Sequence, residues 1–257
     1  MNPPAYLAYV VLTTDIAIIV AILIGARAAL ARAGIPEGDA GTLRLLAALL
    51  VAWFALVLAL SYAGVLRGEA DRPPTVPFAI FLPIVIGLVL LWRSNAVRRL
   101  LDAVPLSWLV GIQVYRVVGA IFLLLLFEGR LSALFALPAG MGDVTVGVLA
   151  PFVAWSYARR RHGPETLVRA WNVAGLLDLA IAVTAGFLTV PSPLQPASLL
   201  APSSGLLTMF PLAMVPAFAV PVSVILHVAA LMKLRRAAAD DSARRRDERF
   251  AGYAKTA

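Results

Sequence analysis

The 257-residue sequence has no cysteine, two histidines, two lysines and few charges of either sign. The missing thiols exclude disulfides, thiolate metal sites and cysteine nucleophiles. His162 and His227 are too few for a three-histidine zinc site. Neither a metal nor a cofactor is therefore expected. The lysines, Lys233 and Lys255, stand at or beyond the end of the last apolar segment, so no lysine is placed for a retinal Schiff base. Charged residues make up 14% of the chain, against about 25% in ordinary soluble domains. A soluble fold of this length could not cover its surface with so few.

What the chain has instead is apolar length: 61% of residues are hydrophobic and the mean hydropathy is +0.89. A helix needs about 20 mostly apolar residues to cross roughly 30 Å of hydrocarbon. Seven segments meet this, at 5–25, 45–65, 76–92, 107–127, 131–158, 169–190 and 208–232. The expected fold is an all-α polytopic membrane helix bundle.

Loops kept in the cytoplasm are enriched in Lys and Arg, and the basic residues here alternate by side. Of the 22, 18 fall in the segments 26–44, 93–106 and 159–169 and the tail. The opposite side has Arg67, Arg72 and Arg130. This places the amino terminus outside and the carboxyl terminus in the cytoplasm of a bacterial inner membrane. The domain division expected is a seven-helix unit at 1–238 and a basic tail at 239–257. The net charge of +8 is read as topology plus attraction to anionic lipid, not as nucleic-acid binding.

Four ionisable residues lie well inside apolar segments: Asp15, Arg116, Asp143 and Asp178. At 1.5 Å per residue, each falls near 15 Å from the end of its segment, roughly the bilayer midplane. A central Asp or Arg costs about 2.5–3.5 kcal/mol on the insertion scale, so four unpaired ones would cost about 10–14 kcal/mol. They are expected to converge on one another or to line a wet cavity. One arginine can neutralise one carboxylate as a bidentate pair. The remaining acids would have no counter-charge and would serve to bind an ion or hold a proton. A static polar clamp between helices satisfies the same arithmetic.

The fifth segment reads Leu137-Pro138-Ala139-Gly140-Met141-Gly142-Asp143. Proline removes a backbone donor and glycine permits non-helical backbone. The expectation is a helix interrupted near 138–143, with Asp143 capping a second half, as in the discontinuous helices of transporters. Pro211, Pro216 and Pro221 predict a bend in the seventh segment. Gln113, Tyr115 and Asn172 are secondary candidates beside the four ionisable groups, as are Gly140 and Gly142. His227 is also secondary, because counting from residue 208 puts it close to the cytoplasmic surface.

Gly140-Met141-Gly142-Asp143 resembles the G-x-G-D motif of intramembrane aspartyl proteases and prepilin peptidases, which implies paired aspartates activating water. In the presenilin-like branch a tyrosine precedes the second acid; here Tyr115 is followed by Arg116, and no Pro-Ala-Leu follows. The Pro-Ala-Gly-x-Gly-Asp segment, with 171–178, also resembles bacterial seven-helix membrane proteins of no assigned activity. The leading functional expectation is binding or transport of a small solute or ion, with proton coupling. The alternatives are an intramembrane hydrolase or isoprenoid-acting enzyme using two of the aspartates, or a structural and assembly role.

Overall fold

The computed structural model describes residues 3–32, 40–159, 165–193 and 202–256. Among these there is no strand. The helices are α1 (Tyr6–Arg32), α2 (Ala40–Tyr62), α3 (Val76–Arg93), α4 (Asn95–Ala103), α5 (Leu106–Gly111), α6 (Ala120–Phe127), α7 (Ala133–Arg159), α8 (Glu165–Thr189) and α9 (Val220–Thr256). A 3-10 helix, Ile112–Gly119, joins α5 to α6, and a π-helical turn, Val215–Ala219, leads into α9. Seven helical stretches are long and apolar enough to cross a membrane, the fourth being Leu106–Phe127 and the seventh Val215–Ala239. This is consistent with a multi-pass membrane protein. His162, Arg160 and Arg161 lie outside the described residues, as do parts of the loops 26–44 and 191–207.

The surface is the inverse of a soluble protein's. Phe78 is 74% exposed, Phe152 64% and Leu82 60%, whereas Asp15 and Arg116 are 1% and 3% exposed. Apolar side chains face outward because lipid tails solvate them as well as a protein core would, while buried polar groups must find partners inside. The interior is held by close approach. The buried positions of α7 include Ala136, Ala139, Gly140, Gly147 and Ala150, a small-residue surface that lets neighbouring backbones come near. α7 packs most heavily on the 3-10 segment and on α8.

At one end of the bundle, Lys233 Nζ donates to the carbonyls of Leu101 and Asp102, each at 2.7 Å, and Arg236 pairs with Asp102 at 3.1 Å. Lys233 completes the open carbonyl end of α4, and both cations tie α9 to it. At the other end, Arg130 pairs with Glu128 at 2.9 Å and Arg72 with Glu69 at 3.4 Å.

Two expectations about helix continuity need correction. The fifth span is not interrupted near 138–143: α7 runs unbroken from Ala133 to Arg159 with Pro138 and Pro151 inside it. Asp143 therefore caps no half-helix. A single proline costs one backbone hydrogen bond, which neighbouring helices can offset in a membrane. The glycines serve contact, not flexibility. A Cβ on Gly140 would meet the Leu123 side chain at 2.7 Å, and one on Gly147 would meet the Val117 backbone nitrogen at 2.6 Å. The departure from α-geometry falls instead in the fourth span, whose sequence has no proline between Leu106 and Phe127. In the seventh span, Pro216 lies inside the π-helical turn.

Candidate functional site

The 3-10 segment sets the site's geometry. At three residues per turn, side chains at i and i+3 eclipse, so Gln113, Arg116 and Gly119 form one row, and these three are the buried residues of the segment. An α-helix would have put Ala120 in line with Arg116; Ala120 is exposed and Gly119 takes its place. Gly119 is small for a reason, since a Cβ there would collide with the Asp143 side chain.

Arg116 is the hub. Its Nε donates to Asp143 Oδ1 at 2.8 Å, and its Nη2 donates to Asp178 Oδ2. The Nε and Nη2 groups share one edge of the guanidinium, so the two carboxylates sit side by side along it. This differs from the single bidentate pair expected. Gly142 of α7 faces the Asp178 carboxyl so closely that a Cβ would overlap it. That contact is why glycine precedes Asp143.

The other edge of Arg116 reaches α8 and α9. Nη1 donates to the Gly175 carbonyl at 3.4 Å and lies 3.1 Å from His227 Nε2. Because guanidinium nitrogens only donate, Nε2 must accept, and the ring proton sits on Nδ1. That proton is donated to Asn172 Oδ1 at 2.9 Å, and Asn172 Nδ2 donates to the Val168 carbonyl at 2.8 Å. Trp171 flanks the imidazole with ring centroids 5.1 Å apart.

His227 thus belongs to the cluster, contrary to the surface position expected for it. The seventh span begins at Val215, not at 208, so His227 lies twelve residues into a 25-residue span. It is also the one ionisable residue between 209 and 232, which is the signal that could have found it. Asn172 joins the cluster as well. Gln113 and Tyr115 turn to a neighbouring point, Ser223: Gln113 Nε2 donates to its carbonyl at 3.2 Å and the Tyr115 hydroxyl lies 2.5 Å from its Oγ. Ser223 was not anticipated, and a serine in an apolar helix gives little to notice.

Asp15 does not reach Arg116. Its Oδ2 is buried without a hydrogen-bond partner among the described residues. It lines a small cavity of about 40 Å³ shared with Thr14, Tyr115, Arg116, Asp143 and Ser223. Three of the four ionisable groups therefore converge, and the fourth faces them across a gap.

Asp143 also borders a second, larger cavity of about 400 Å³. Its walls are mostly apolar, with Ser192 and Thr208 among them, and come from α3 (Val76, Ile80), α8 (Leu179, Ala182, Gly186), Phe122 and Phe135, and the seventh span (Val215, Val220). Among the described residues, Asp143 is the one ionisable residue lining it. α3 and α8 both pack on α9 but scarcely on each other. Between them stand Phe81 and Phe187, ring centroids 6.2 Å apart and both partly exposed on the apolar surface.

A family model described as "Domain of unknown function (DUF8737)" matches residues 73–235, and the chain belongs to that family. The matched stretch contains segment 138–143, Arg116, Asp178 and His227, and leaves Asp15 outside. No curated protein and no solved structure matches the chain.

Proposed function

We propose that this member of the DUF8737 family binds a small, largely apolar solute in the 400 Å³ cavity and carries it with proton coupling. The observation that carries this reading is the double position of Asp143, which holds Arg116 on one side and is, among the described residues, the cavity's one ionisable wall residue on the other. The volume is within the range of small-molecule sites, which are mostly apolar with a few polar groups that fix orientation. A carboxylate accepts hydrogen bonds, so the solute's polar end is a donor such as an amine or an alcohol. The gap between α3 and α8, closed over by Phe81 and Phe187, supports entry from the lipid. The charge asymmetry of the loops supports a bacterial inner membrane with the basic end cytoplasmic and in contact with anionic headgroups.

The test uses a dansyl-labelled long-chain amine and the purified full-length protein in nanodiscs. Saturable enhancement of emission is expected, with affinity falling at least about tenfold in Ala182→Trp, which fills the cavity; tenfold is 1.4 kcal/mol. Proteoliposomes with a trapped pH dye should show proton movement on addition of apolar amines, lost in Asp143→Asn. No saturable binding, and no flux across a broad panel of amines and alcohols, would overturn the reading.

The side-by-side placement of Asp143 and Asp178 favours one second reading, an intramembrane enzyme that uses the pair as acid and base. It requires substrate turnover to stop in Asp143→Asn and in Asp178→Asn alike. Proton flux lost in Asp143→Asn but kept in Asp178→Asn would favour the carrier.

A further inference from the structure

We infer that Asp15 is the proton-holding group of this site and that it exchanges its proton with Asp143 through water in the 40 Å³ cavity. The inference deepens the carrier reading and rests on it for its purpose, but a different feature carries it. Asp15 is 1% exposed and lines that cavity, and its Oδ2 is buried without a hydrogen-bond partner among the described residues. A cavity needs about 10–15 Å³ of probe volume to hold one water, so this one has room for a short chain of two or three.

Charge balance identifies the occupant of Asp15. Arg116 directs Nε and Nη2 to Asp143 and Asp178 and Nη1 to Gly175 and His227. A third carboxylate at this depth would add a negative charge to a cluster whose one cation already serves two. A proton removes that excess. Among the described residues, few polar groups line the cavity with Asp15. The 3-10 segment presents Tyr115 and Arg116, α7 presents Asp143, and α1 itself presents Thr14. The seventh span offers Val215, Ala219, Val220 and the hydroxyl of Ser223, and α8 offers Leu179. Among the described residues no cluster of three or more His, Asp or Glu side chains is placed to hold a metal ion, which favours the proton over a divalent cation.

The step balances simply. The Asp15 carboxyl O–H gives its proton to a cavity water, and that water gives one to the Asp143 carboxylate. Asp15 becomes the anion, Asp143 becomes neutral, and no bond to carbon changes. A neutral Asp143 holds Arg116 less strongly, so the proton's arrival is felt in the wall of the larger cavity.

Infrared difference spectra of the full-length protein in phosphatidylcholine nanodiscs, recorded across pH in light and heavy water, test this. A protonated-carboxyl stretch that shifts in heavy water is expected in the wild type. It should vanish in Asp15→Asn and persist in Asp178→Asn. Its midpoint should move by about one pH unit or more in Asp143→Asn, as coupled sites require. Asp15→Glu, with the same group on a longer stem, should keep the band at an altered midpoint and guards against a folding artefact. Persistence of the band in Asp15→Asn, or an unmoved midpoint in Asp143→Asn, would overturn the assignment. So would loss of the band when sodium chloride replaces choline chloride at constant pH, which would mark a monovalent-cation site. The band does not depend on the dansyl amine, so failure of solute binding and failure of the Asp15 assignment are seen separately.

Discussion

Arg116 and Asp15 are buried to a similar degree, at 3% and 1% exposure, and both border the same small cavity. Their surroundings differ in kind. Around Arg116, α7, α8 and α9 each supply partners: Asp143 from α7, Asp178 and Gly175 from α8, and His227 from α9, backed by Asn172. The approach is made possible by glycines at 119, 142, 147 and 175, where a Cβ would strike a member of the cluster or its backbone. Around Asp15 there is room, and no partner for Oδ2 among the described residues. Buried charge in a low-dielectric interior is tolerated when geometry and hydrogen bonds satisfy it, and is costly otherwise. The contrast separates a region built to hold its charges still from one left open to exchange.

The largest effect expected on this contrast comes from removing the hub. Arg116→Leu leaves Asp143 and Asp178 adjacent without a cation and should cost about 3–5 kcal/mol. Equilibrium unfolding in mixed micelles measures it, and Arg116→Leu combined with Asp178→Leu should recover part of the loss. A cost below about 1 kcal/mol would mean that the pairs contribute little.

Next come changes that touch the hub's supports. His227→Leu strips Asn172 Oδ1 and Arg116 Nη1 of a partner and should cost about 1–3 kcal/mol in the same assay. The sharper comparison is Asn172→Leu, which should cost no more than His227→Leu because it lies one bond further from the guanidinium. Gly147→Ala pushes against the Val117 backbone and not a flexible side chain, so overpacking of about 1–3 kcal/mol is expected. An unchanged midpoint would show that α7 and the 3-10 segment can separate freely.

The smallest effect is expected on the other side. Asp15→Asn keeps the shape, removes the proton site and breaks no hydrogen bond made by Oδ2. Stability should change by about 1 kcal/mol or less, with proton flux lost. A large destabilisation would place Asp15 with Arg116 in the structural class.

Much of this was legible in the chain because it is locally encoded. Hydropathy is a property of consecutive residues, so the seven spans and the all-helical fold followed from runs of apolar sequence. The placing of Asp15, Arg116, Asp143 and Asp178 inside apolar helices followed from counting along those runs. The same counting misplaced His227, because it took 208 as the start of a span that begins at Val215. Gly140 and Gly142 signalled correctly that something unusual occurs there. They were read as loosened backbone, whereas the space they leave is filled by Leu123 and the Asp178 carboxyl.

The sequence by itself determined the seven apolar spans and the placing of one cation and three acids inside them. These depend on solvation of the chain by lipid or water. Only the tertiary structure decided which acids meet Arg116, that His227 and Asn172 join them, that the fourth span takes the 3-10 form, and that Asp143 stands between two cavities. Those outcomes depend on which helix faces are brought within hydrogen-bond reach, and hydrophobicity, being non-directional, does not specify them.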